Sequence, residues 1–169
     1  MFIVDSDVFI TAKNRYYSFG ICPGFWDSVI DHHQKGSVHS LDHVRQELLR
    51  GRDDDDLVQW VKTTVPDAFF LSSRSDEVVA TYTDVMLWVQ RHPNYFDTAK
   101  AEFAAGADGW LVAYAKVHEI EVVTNEQPRP DSRSKVKLPD VCLEFGVAYR
   151  DTFAMLEVLH VQFDYSPRT

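Results

Sequence analysis

Asp5 closes an apolar opening, Phe2-Ile3-Val4, and is followed by Ser6, Asp7 and a second apolar run, Val8-Phe9-Ile10. A strand of this composition that ends on an acid places a carboxylate at the carboxyl edge of an open α/β sheet, where ligands bind. An ionised carboxylate among apolar neighbours requires a partner or a metal. Three further acids stand in comparable settings. Glu47 falls three residues after Val44, beside the apolar stripe of a helical pattern. Asp108 opens the almost wholly apolar segment Gly109-Trp110-Leu111-Val112-Ala113-Tyr114-Ala115 and shares a face with Leu111 and Ala115. Glu126 ends Val122-Val123-Thr124-Asn125-Glu126, a repeat of the opening pattern, so two adjacent parallel strands would bring Asp5 and Glu126 to one sheet edge.

The elements that must carry these acids alternate along the chain. Residues 2–5 read as a strand, and an aromatic-rich loop leads to a helix through Trp26, Val29 and Ile30 that stops near Gly36. Ser40 is placed as the N-cap of a helix with Leu41, Val44 and Leu48 at helical spacing. A charged break at 51–56 precedes a helix carrying Leu57, Trp60 and Val61, with Asp56 as its expected cap and Pro66 beyond its end. Residues 68–71 read as a short strand. Ser75 caps a long helix burying Val78, Val79, Tyr82, Val85, Met86 and Val89, which ends by His92-Pro93. A helix over 107–117, strands at 121–124 and 146–149, and a terminal helix capped by Thr152 with Phe153, Leu156 and Leu159 complete the pattern. The alternation predicts one α/β layered domain spanning 1–169.

Composition narrows the function classes. An apolar fraction of 45% over 169 residues suits one globular core. No run is long and apolar enough to span a bilayer and no basic n-region leads into an apolar segment, so the expectation is a soluble, cytoplasmic protein with no membrane partner. A net charge of −9 argues against nucleic-acid binding by bulk electrostatics, yet an acidic metal site adds negative charge that the ion reverses locally. Lys13 and Arg15, then Arg45, Arg50 and Arg52, then Arg129, Arg133, Lys135 and Lys137 form patches able to steer a phosphate backbone. Cys22 and Cys142 lack zinc-site or redox-pair spacing and are expected to be buried thiols.

Taken in order, Asp5, Glu47, Asp108 within Ala107-Asp108-Gly109-Trp110-Leu111-Val112-Ala113-Tyr114-Ala115, and Glu126 after Val123-Thr124 resemble the acidic positions of the PIN domain, a ribonuclease family that includes VapC-like toxins. Tyr16-Tyr17, Pro23-Gly24-Phe25-Trp26 and Lys137-Leu138-Pro139-Asp140-Val141-Cys142 are similar to motifs of one PIN-like branch. The resemblance implies a three-layer α/β/α fold around a central, mostly parallel sheet. It also implies a metal-dependent endoribonuclease, with RNA as substrate, an antitoxin as possible protein partner, and a homodimer. Asp5, Glu47, Asp108 and Glu126 would hold Mg²⁺ or Mn²⁺, with Ser6 and Thr124 orienting them. The sequence departs from the pattern at Asp7, where many members carry a small hydroxyl or amide residue, and at Glu126, which stands for a shorter acid. Asp7 is an additional candidate ligand and also a candidate loop partner; Asp140 is an alternative late acid, read as a helix cap.

Two other functions start from the same residues. Asp5-Ser6-Asp7-Val8 resembles the first motif of haloacid-dehalogenase-like phosphatases, in which Asp5 would be the nucleophile and Asp7 the general acid, but no late acidic pair follows at a strand end. The other is a non-catalytic PIN-like module that binds RNA or protein. His32-His33 reads as a solvated helix end. His39 and His43 lack the intervening Glu of a metalloprotease motif. Asp53–Asp56 reads as a solvated turn. The N-terminal aromatics could stack unpaired bases, with Phe25 and Trp26 assigned instead to packing a helix on the sheet.

Overall fold

The computed structural model describes residues 1–164. Its centre is a five-stranded, wholly parallel sheet, β1 (Phe2–Val4), β2 (Val38–Leu41), β3 (Phe70–Leu71), β4 (Glu121–Val123) and β5 (Tyr149–Arg150), in the order β3-β2-β1-β4-β5. Helices flank it in the expected three-layer α/β/α arrangement: α1 (Ser6–Thr11), α2 (Pro23–Gln34), α3 (Asp42–Leu48), α4 (Asp56–Thr63), α5 (Asp76–Arg91), α6 (Asp97–Ala105), α7 (Asp108–His118), α8 (Leu138–Phe145) and α9 (Thr152–Val158). A five-residue π-helix, Ala12–Tyr16, extends α1.

The middle strand β1 is apolar throughout, and β4 is apolar in its last two residues, because both faces of the sheet are covered there, which is the demand parallel sheets make on sequence. Phe2, Ile3 and Val4 of β1 and Val122 and Val123 of β4 are all buried. Connections leave β1 in opposite directions along the sheet, to β2 on one side and, by a later crossover, to β4 on the other. That reversal opens a crevice outside the carboxyl ends of β1 and β4. The core continues through Phe9, Trp26, Trp60 and Phe69, whose rings meet edge-on or tilted. Phe25 and Trp26 are buried as expected of packing residues, and the Trp26 indole donates to the Tyr17 carbonyl at 2.8 Å.

Several boundaries fall elsewhere than periodicity indicates. Ser40 is not a helix cap: it lies inside β2, fully buried, with its hydroxyl donating to the Val4 carbonyl at 2.6 Å. Leu41 caps α3, because Val38, His39 and Ser40 before it are taken up as a strand beside β1. Asp55, one residue earlier than expected, caps α4 through the Leu57 and Val58 amides, and Asp151 rather than Thr152 caps α9. Ser75 caps α5 as expected. Val79 and Phe153 are exposed, and α1, α6 and α8 are helices that the apolar pattern did not mark out. Asp140 sits inside the first turn of α8 and accepts the Arg129 amide, while Lys137 holds the cap position. His39 is on β2 and His43 on α3, so their spacing has no helical meaning; the His33 ring packs on His39 and Phe69 rather than standing in solvent. Cys22 and Cys142 are free, Cys142 buried and Cys22 partly so.

Candidate functional site

Strand register decides what Asp5 meets. Val4 pairs with Val123, the Asp5 amide donates to the Val123 carbonyl at 3.0 Å, and one further step brings Asp5 level with Thr124 rather than Glu126. The Thr124 hydroxyl donates to Asp5 Oδ2 at 2.9 Å, and both residues are buried. On the other side Ser6 Oγ lies 2.7 Å from Glu47 Oε2 and 3.3 Å from Asp5 Oδ1. A hydroxyl has one proton to give, and the shorter contact directs it to Glu47. Asp5 Oδ1 is thereby left without a strong donor.

Glu47 is brought in from α3 and joined to α7 by backbone. Its Oε1 accepts the Ala107 amide at 2.8 Å, one of the orphan N–H groups at the start of α7. This bond ties the helix carrying Asp108 to the helix carrying Glu47. Gly106 leaves room for the carboxylate: a Cβ there would lie 3.3 Å from Glu47 Oε1. Asp108 follows at the first position of α7, partly buried.

Glu126 is differently placed. Its carboxylate receives Lys135 at 2.8 Å, Lys137 at 3.2 Å and the Leu138 amide at 3.1 Å, while its own amide donates to Thr124 Oγ1 at 3.2 Å. Asp7 accepts the Thr11 hydroxyl at 3.0 Å within α1. All of these acids, with Ser6, line one cleft of about 370 Å³, whose wall also includes Arg50, Glu102 and Lys135. Glu102 was not anticipated, because it belongs to α6, a helix whose apolar residues Ala99 and Phe103 make too sparse a pattern to read.

The electrostatics separate the acids into two classes. Burial, with the charges of Asp7, Glu47 and Glu126 adding to it and the Thr124 hydrogen bond opposing it, pushes Asp5 up to about 7. Burial and the charges of Asp5, Glu126 and Glu47 likewise raise Asp108 well above the usual carboxylate range, with Lys135 opposing. Glu126 goes the other way: burial works to raise it, but the Lys135 hydrogen bond, the Leu138 amide and both lysine charges hold it low. Cys142 is pushed up to about 12 by burial and the nearby Asp108 and Asp5, which makes it an inert thiol.

Among the described residues, no three His, Cys, Asp or Glu side chains are already gathered as a ready ligand set. Oxygen donors are nonetheless the right chemistry for a hard cation, and Mg²⁺ is ordinarily held by one or two carboxylates, completed by water and substrate phosphate. Asp5 and Asp108 meet that smaller requirement: both are held near other acids without a strong cationic partner. Glu47 and Glu126 are already engaged.

The profile of a family described as "Domain of unknown function (DUF4411)" matches residues 2–163. The chain belongs to this family. None of the curated proteins matches it. In fold, the DUF4411 chain is similar to the crystal structure of FitAcB from Neisseria gonorrhoeae, at a TM-score of 0.54 and 19% identity, over 88% of this chain and 96% of that one. Among the described residues of the DUF4411 chain, no helix is long and apolar enough to cross a membrane.

Proposed function

We propose that this protein is a metal-dependent endoribonuclease of the PIN type, working in the cytoplasm as the toxin of a toxin–antitoxin pair. The observation that carries the reading is the pair Asp5 and Asp108: two acids at the carboxyl edge of a parallel sheet, each raised by burial and by neighbouring carboxylates, facing one cleft. Such a pair is relieved by a divalent cation, and Asp5 and Asp108 would hold Mg²⁺ or Mn²⁺, with Glu47 and Glu126 as the outer acids of the site. When bound, the cation supplies Lewis-acid polarisation of a phosphodiester and neutralises charge on the leaving oxygen.

The chain's own residues supply orientation. Thr124 fixes Oδ2 of Asp5, Ser6 and the Ala107 amide fix Glu47, and Lys135 offsets the charge of Glu126 where a phosphate would otherwise be repelled. Arg50 stands at the cleft wall without a salt bridge among the described residues, available to a phosphate. RNA as substrate, an antitoxin and a homodimer follow from the resemblance of the acidic motifs to PIN domains. The test is cleavage of single-stranded RNA with Mg²⁺ or Mn²⁺ by wild type, Asp5→Asn and Asp108→Asn. Metal-dependent cleavage abolished by both changes is expected. Cleavage untouched by both overturns the assignment, and hydrolysis of a small phosphoester that depends on Asp5 would instead favour a phosphatase with Asp5 as nucleophile.

A further inference from the structure

Next to the acidic cleft, and meeting it at Asp7 and Glu126, is a second groove at the same sheet edge, lined among others by Arg15, Tyr16, Asn125, Gln127, Lys137 and Phe153. Its position follows from the backbone. The helix that begins after Asp5 does not stop at Thr11 but widens into the π-helix Ala12–Tyr16, closed by the Tyr17 amide on the Ala12 carbonyl at 2.6 Å. Short π segments are rare and often occur at functional sites. Opposite it, α9 begins directly after β5 and presents Phe153 one residue into the helix.

Two rings are left half in water there. Tyr16 is 54% exposed and Phe153 47% exposed, with ring centroids 5.4 Å apart and planes at 72°, so together they form an open corner. Their neighbours Tyr17 and Phe25 stack at 4.6 Å and anchor the corner to the core. Two adjoining exposed rings rimmed by polar groups make a contiguous apolar patch of the kind that marks a ligand-binding groove. Around the rings are groups suited to an anion and to polar ring edges. Among the described residues Arg15 has no salt bridge and the Gln127 side chain no hydrogen bond, and Lys137 reaches the groove from its contact with Glu126. Asn125 spends its side-chain oxygen on the Thr152 amide and hydroxyl, which leaves its amino group as a fixed donor. The groove's acids are occupied: Asp7 by Thr11 and Asp151 by the Ala154 amide.

We infer that this groove is a subsite for an unpaired nucleotide of the RNA strand, its base stacked in the Tyr16–Phe153 corner and its phosphate on Arg15 and Lys137, one step along the strand from the acidic cleft. Stacking of a base requires that it be out of a helix, so the subsite selects single-stranded RNA over duplex. The inference rests on the nuclease reading above for the direction of the strand, but its test does not depend on cleavage.

The test uses a short single-stranded oligoribonucleotide carrying 2-aminopurine, whose fluorescence is quenched on stacking, bound to the full chain in EDTA and again with Ca²⁺. Tyr16→Ala and Phe153→Ala are each expected to weaken binding by about tenfold and to remove the quench, the effect of losing one stacked base. Tyr16→Phe should bind as wild type does, and Arg15→Gln should lower the salt slope of binding by about one. A blunt duplex of the same sequence should bind weakly and indifferently to all four changes. A 4-thiouridine strand, crosslinked by light, should mark Tyr16 or Phe153. Absence of binding in both conditions, or affinity and crosslinks indifferent to Tyr16 and Phe153, overturns the inference and leaves the groove to a protein partner. Cleavage that depends on Asp108 with binding indifferent to Tyr16 would retain the nuclease and discard the subsite. Tyr16-dependent binding without cleavage under any divalent cation would do the reverse.

Discussion

Thr124 donates its hydroxyl to Oδ2 of Asp5 at 2.9 Å, and the Thr124 Oγ1 atom in turn accepts the Glu126 amide at 3.2 Å. One side chain thus orients the innermost acid and sets the path of the loop that carries another. Thr124→Val keeps the shape and removes both hydrogen bonds, so Asp5 should titrate still higher and divalent-cation affinity should fall by about 10–100-fold, as is usual for a lost partner of a ligand. Thr124→Ser should restore most of it. Isothermal titration with Mn²⁺ measures the difference, and equal affinity of the Val and Ser variants would remove Thr124 from the site.

The proton on Asp5 also makes stability depend on pH. An unfolded aspartate loses its proton at about pH 3.9, whereas folded Asp5 keeps it to about 7. Between those values the folded state binds more protons than the unfolded, so the metal-free protein should lose stability as pH rises from about 4 to 7. Asp5→Asn cannot ionise and should be the more stable protein at pH 8, by about 1–4 kcal/mol, with little difference at pH 4. Chemical denaturation in EDTA at both pH values checks this. Mg²⁺ should raise the unfolding midpoint of wild type and leave that of Asp5→Asn nearly unmoved.

Glu126 should matter less to cation binding than Asp5 or Asp108, because two lysines and an amide already satisfy it. Glu126→Gln is expected to reduce cleavage by less than about tenfold, while Asp108→Asn should cost about a hundredfold or more, as loss of a group at the reacting centre does. Parallel rate measurements on one RNA decide the order. If Glu126→Gln proved the more damaging, the carboxylate must leave its lysines to act.

Gly109 tests how the helix carrying Asp108 is seated. A Cβ there would come within 3.0 Å of Tyr82 and 3.3 Å of Phe103, and Tyr82 itself is stacked at 3.7 Å on Trp110, which stacks on His43. Tyr82 therefore cannot swing aside freely. Gly109→Ala should destabilise the protein by about 1–3 kcal/mol despite the better helix propensity of Ala, because overpacking wins in a filled core. A thermal melt above that of wild type would show that α5 can yield.

What could be read from the chain alone was whatever depends on local spacing. Runs such as Phe2-Ile3-Val4 and Val122-Val123 declare buried parallel strands, Ser75 declares a cap, and an acid after each of those strands declares a sheet edge. Other elements escaped because their pattern is ambiguous: Val8-Phe9-Ile10 in α1 is a continuous apolar run, Ala99 and Phe103 in α6 are too sparse to mark a face, and Ser40 suits a cap and a buried strand equally well until β1 claims it. Only the tertiary structure decided which acids face one another and in what state. The register of β1 on β4 puts Thr124, not Glu126, beside Asp5. The return of residues 135–137 puts lysines on Glu126, and the Ala107 amide engages Glu47. Charge state in a protein interior is set by desolvation and by neighbours distant in sequence, and neither is written in the spacing of residues along the chain.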